Sequence, residues 1–112
     1  FLAASRPTKG ILVLLLNCKD PAREEEYNHW YTDIHIPDIL ETGLFHTAYR
    51  YESLDPQATK GKYLVFYETE SSDPGKAGDE LLKRRANWDQ SRLFDGTERV
   101  LLATARRIWP TD

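Results

Sequence analysis

A single cysteine, Cys18, is the whole thiol content of this 112-residue chain. A lone thiol excludes an internal disulfide and any multi-cysteine zinc site, and it fits a reducing compartment, so a cytoplasmic location is expected. Long apolar runs are missing as well. The longest, Ile11 to Leu16, has six residues, far short of the ~20 that a membrane-spanning helix needs, so no membrane partner is expected. There is no basic excess: 15 Lys and Arg stand against 18 Asp and Glu, for a formal net charge of -3. No stretch sets Lys and Arg beside aromatics, which argues against a nucleic-acid partner, because such binding displaces counterions from phosphate with a basic surface. The first residue is Phe1 rather than Met, and Phe1 to Lys9 lacks the basic start and apolar core of a signal peptide. Residues 1–9 read instead as a flexible lead-in to one domain that occupies the rest of the chain.

Cofactor motifs are equally scarce. No CxxC or HExxH occurs, and His29, Asp33 and His35 do not make a His-x-x-x-His pair, so no metal is expected. Lys60-Gly61-Lys62 is a turn and not a phosphate-cradling loop, and no Gly-x-Ser-x-Gly elbow is present. The expectation is a protein that uses no cofactor; haem, which needs only one axial histidine, is the group that motif reading reaches least.

What the chain does have is an alternation of strand and helix signals. Ile11 to Leu16, bounded by Asn17, Asp20 and Pro21, predicts a strand buried on both faces. After Pro21, three glutamates (Glu24, Glu25, Glu26) suit the start of a helix, and Tyr27, Trp30, Tyr31 and Ile34 repeat at helical spacing. Pro37 predicts that this helix ends near His35 and that a short second turn follows, closed by Gly43. Leu44 to Tyr51 and Lys62 to Glu68 read as antiparallel neighbouring strands, with a turn-rich stretch from Asp55 to Gly61 between them. Ser71 to Gly78 reads as a loop and about Asp79 to Leu93 as a second helix, with Leu81, Leu82, Ala86, Trp88 and Leu93 inward. Arg99 to Trp109 supplies the last strand. This order predicts an α+β, ferredoxin-like βαββαβ protomer, an antiparallel four-stranded sheet with two helices on one face. Two helices cover one face only, yet the first strand is apolar at odd and even positions alike. A second copy is the simplest cover for the other face, so a homodimer is expected.

Of the three histidines, His35 lies four residues after Tyr31 and eight after Tyr27, on one helix face beside Trp30 and Ile34. An imidazole there is either a packed core group or a general acid or base. His46 shares strand parity with Leu44, Ala48 and Arg50. It joins His35 if that set faces the helices and meets a partner chain if it does not. His29 is off the stripe and reads as solvated.

The run Glu26-Tyr27-Asn28-His29-Trp30-Tyr31-Thr32-Asp33-Ile34-His35-Ile36-Pro37-Asp38-Ile39-Leu40 carries a Trp-Tyr pair, three residues, a His, one residue and a Pro. A first strand ending in Asn17 precedes it, and Gly43-Leu44-Phe45 leads on to Ala48-Tyr49-Arg50-Tyr51. Over about residues 10 to 53 this resembles the EthD-like branch of the dimeric α+β barrel superfamily. The resemblance implies two sheets joined face to face, a pocket between each sheet and its helices, and His35 at the position of the family histidine. It also implies a cofactor-independent enzyme, a decarboxylase, dehydratase or cyclase acting on a phenolic or polyketide-derived small molecule. Under that reading His35 moves a proton, Tyr31 hydrogen-bonds an enolate oxygen, Asp38 holds the other ring nitrogen of His35, and His46 is the next catalytic candidate. Tyr27, Trp30, Tyr49 and Trp88 would form an aromatic slot for the substrate. A cofactor-free or haem-type monooxygenase of the same superfamily and a non-catalytic dimeric binding module are the alternatives.

Overall fold

Six apolar residues in a row need cover on both sides of a strand, and the computed structural model, which describes residues 6–110, sets them in the middle of a sheet. β1 (Gly10–Cys18) lies between β3 (Tyr63–Thr69) and β4 (Thr97–Arg106), and β2 (Thr47–Glu52) borders β3. The order is β2-β3-β1-β4 with each neighbouring pair antiparallel. With one helical crossover after β1 and another after β3, this is the expected ferredoxin-like α+β arrangement. No helix among the described residues is long and apolar enough to cross a membrane.

The first crossover departs from expectation at Pro37. After a tight turn at Pro21–Arg23, α1 (Glu24–Trp30), a π-helical turn (Tyr31–His35) and α2 (Ile36–Glu41) form one unbroken rod. In a regular α-helix the proline ring would collide with the carbonyl four residues back. Here the bonding register slips to five residues, with the Ile36 N–H donating to the Tyr31 carbonyl, and the widened turn seats the ring without ending the helix. Gly43, at φ 77°, then reverses the chain as anticipated.

Other boundaries also move. Pro74–Arg85 is the long helix of the second crossover, earlier than the 79–93 expected, because Asp73 caps it by accepting from the Lys76 amide and Pro74 occupies its first position. Numbered in chain order it is α4, α3 being the single turn Pro56–Thr59. Leu81 is buried as expected; Leu82 lines the cavity described below yet is exposed, and Ala86, just past the end of α4, is exposed too. β2 starts three residues late, since Phe45 leaves the strand path to sit fully buried against Tyr67. β4 stops at Arg106, short of the exposed Trp109.

Leu12, Leu16, Val65, Tyr67 and Ala48 pack under Tyr27, Trp30, Tyr31 and Leu81 on the helix-covered face. β4 reaches this face through a bulge at Val100: Leu15 pairs with Leu101 but Leu16 pairs with Arg99. The extra residue reverses the alternation, so Arg99 and Leu102, odd and even in number, point the same way. On the uncovered face Tyr49, Tyr51 and Leu101 are exposed, 39%, 55% and 51% respectively. Of the expected flexible lead-in, residues 1–5 lie outside the described residues. Residues 6–9 are tied down: Arg6 pairs with Glu70 and the Lys9 amide donates to the Thr69 carbonyl.

Candidate functional site

Between the helix-covered face and the two crossovers lies a cavity of about 790 Å³. Leu12, Leu14, Leu16 and Leu102 make its sheet wall. The rod contributes Trp30, Tyr31 and His35, and α4 contributes Gly78, Leu81 and Arg85. The π-helical turn accounts for the rod's share, because Tyr31 and His35, its first and last residues, both face the cavity.

His35 is 5% exposed. Its ring stacks on Trp30 with centroids 4.5 Å apart and planes 19° from parallel, and it meets Tyr31 edge-on at 5.0 Å. Nδ1 is sealed from solvent without a hydrogen-bond partner. Burial, reinforced by the charge of Arg85 and opposed by Asp38, pushes its pKa down to about 3. The ring is therefore neutral near pH 7. Tyr31 is buried too and held protonated, its pKa pushed up to about 12 by desolvation. The Tyr67 hydroxyl donates to Tyr31 Oη at 3.0 Å, which leaves the Tyr31 proton for an acceptor in the cavity. Arg50 supports this pair from the β2 side. Its guanidinium lies 4.8 Å from the Tyr31 ring centroid and donates to Thr32 Oγ1 and Asn28 Oδ1 at 2.9 Å each.

The anticipated site residues separate in space. His35, Tyr31 and Trp30 line one cavity. Tyr27 is fully buried behind them, with its hydroxyl unpartnered and its pKa raised by desolvation, and it does not reach the cavity. Trp88 stands edge-on to His35 at 6.5 Å but lines a neighbouring depression with Asp38 and Arg92. Asp38 does not hold the second nitrogen of His35. Its carboxylate takes a two-pronged hydrogen bond from Arg92 at 2.7 and 3.0 Å, a stronger partner than a neutral imidazole, and the unbroken helix keeps it turned that way. His46 lies outside the cavity, at the start of β2. Its Nδ1 contacts Thr47 Oγ1 at 2.8 Å and its Nε2 donates to the Pro7 carbonyl at 3.1 Å. Tyr49 is on the opposite face of the sheet. His29 is exposed and paired with Asp33.

Arg85, Arg99, Gly78 and Tyr67 belong to the lining and were not singled out from the sequence. Two had a visible signal: Arg85 follows Leu81 by four residues on the same helical stripe, and Tyr67 alternates with Tyr63 and Val65. Arg99 had none, since only the bulge turns it inward. Among the described residues no group of three or more His, Cys, Asp or Glu side chains converges as a metal cluster.

No curated protein and no solved structure gives a match to the chain. The model of the domain of unknown function DUF4286 matches residues 13–77, which takes in most of β1, the entire rod with Tyr31 and His35, β2, β3 and the start of α4. With more than half of its length inside that match, the chain belongs to the DUF4286 family.

Proposed function

We propose that this protein is a small cofactor-independent enzyme that moves a proton on a planar phenolic or polyketide-derived substrate, in a decarboxylation, dehydration or cyclisation. One observation carries the reading: a neutral histidine with no hydrogen bond to either ring nitrogen among the described residues lines an apolar cavity large enough for a small aromatic molecule. Negative charge developing on a bound substrate offsets the desolvation of His35, which is then placed to accept a proton from a carbon or phenol beside a carbonyl, while Tyr31 donates to the oxygen on which that charge develops. The resemblance of residues 10 to 53 to EthD-like proteins supports the same chemistry, and it supports a homodimer in which a second copy covers the exposed Tyr49, Tyr51 and Leu101.

The test is His35→Gln, assayed for turnover of a panel of phenolic and polyketide-type acids by chromatography and for binding by tryptophan fluorescence. The expected result is a loss of ~10²–10⁴ in rate with binding retained. A folded variant with the wild-type rate overturns the role of His35. The depth of burial of His35 also favours a second reading, because an imidazole so far desolvated hydrogen-bonds well and takes up protons poorly, as suits a binding module. Saturable binding without turnover of any panel member would select that reading.

A further inference from the structure

Several arginines are matched by carboxylates. Arg6, Arg23, Arg84 and Arg92 each face a carboxylate. Arg85 is different: half-buried in the α4 wall, it has no hydrogen bond or ion pair among the described residues. Its close contact is the ring of Trp88, 5.8 Å from guanidinium carbon to centroid, and the same ring meets His35 at 6.5 Å with the planes 75° apart. Arg85 lines the same cavity as His35 and Tyr31, and its charge disfavours protonation of His35 and favours ionisation of Tyr31. Arg99, aimed inward from β4, likewise has no carboxylate partner among the described residues. The single carboxylate of the lining is Asp79, at the exposed rim.

A half-buried arginine with no anionic partner beside leucine walls leaves its charge open to an anion entering the cavity, where apolar surroundings strengthen the attraction. Its planar fork fits a carboxylate through two parallel hydrogen bonds. Room for a ring beside it comes from α4. A Cβ on Gly78 would meet nothing nearer than Leu12 Cδ1 at 3.9 Å, so the glycine leaves open space where any other residue would project.

We infer that the cavity selects planar organic acids and that Arg85 is the residue that takes their carboxylate, with the ring beside His35 and Tyr31. The inference rests on the proposed reading of the cavity as a site for planar molecules. Tryptophan fluorescence titrations with 2-naphthoate and with its neutral isostere 2-naphthamide test it, in wild type, Arg85→Gln and Arg84→Gln, each checked by a melting curve. Arg84 pairs with Glu80 and the Thr42 carbonyl outside the cavity and serves as the charge control. Wild type should bind naphthoate more tightly than naphthamide. Arg85→Gln should weaken naphthoate by about 10- to 100-fold, the range of a charge-assisted hydrogen bond, and leave naphthamide unchanged, while Arg84→Gln should alter neither. Equal binding of acid and amide in wild type, or an unchanged naphthoate affinity in Arg85→Gln, overturns the role of Arg85 and leaves the cavity reading standing. Binding of neither probe up to millimolar concentration overturns both.

Discussion

Acid should destabilise this protein through His35 in a way that a single substitution removes. The ring is neutral in the folded protein, with a pKa near 3, and returns to about 6.5 when the chain unfolds. Because the folded value is the lower one, the unfolded chain binds more protons in the interval between the two. Stability from this residue is therefore complete above pH 6.5 and falls as the pH drops toward 3. At about 1.36 kcal/mol per tenfold change, the loss is ~2 kcal/mol at pH 5 and approaches ~5 kcal/mol at the lower end of the interval. The assay is urea unfolding at pH 7.5 and pH 5 for wild type and His35→Gln at one protein concentration. Trp30, stacked on the ring, provides the fluorescence signal. Glutamine does not titrate, so wild type should lose ~2 kcal/mol more than the variant between the two conditions. Every other titrating group is common to the two proteins and cancels. Parallel losses in the two would refute the burial argument.

Gly78 offers a test that separates stability from occupancy. Gly78→Ala should raise stability by about 1 kcal/mol, because a helical glycine carries an entropic penalty and the added Cβ has open space, whereas Gly78→Leu should abolish naphthoate binding with the fold intact. Denaturation midpoints and fluorescence titration check the two, and full affinity in the leucine variant would show that the ring lies elsewhere. On the other face of the sheet, light scattering at micromolar concentration should give twice the protomer mass. Leu101→Glu, at a half-exposed position, should bring it to one protomer without loss of helical signal; a monomeric wild type would refute the covered-face reasoning.

The strand-helix alternation was legible because it is local. The two-faced apolar run of β1 demanded a central position, and the spacing of Tyr27, Tyr31 and His35 predicted an inward stripe, since the helical repeat depends only on neighbours along the chain. The same logic found His35, Tyr31 and Trp30. It failed where one residue more or less changes direction. Pro37 reads as a stop until a π-helical turn absorbs it, and Arg99 reads as facing away from Leu102 until the bulge at Val100 reverses it. Asp38 was expected to hold His35, and strand parity left the facing of His46 open; their partners, Arg92 and the Pro7 carbonyl, come from 54 and 39 residues away. By itself the sequence determined the kinds of elements, their order and the buried face of the first helix. The tertiary structure alone decided which charges meet a carboxylate and which stand open to the cavity, because ion pairs form between chain-distant groups whose separation no local pattern encodes.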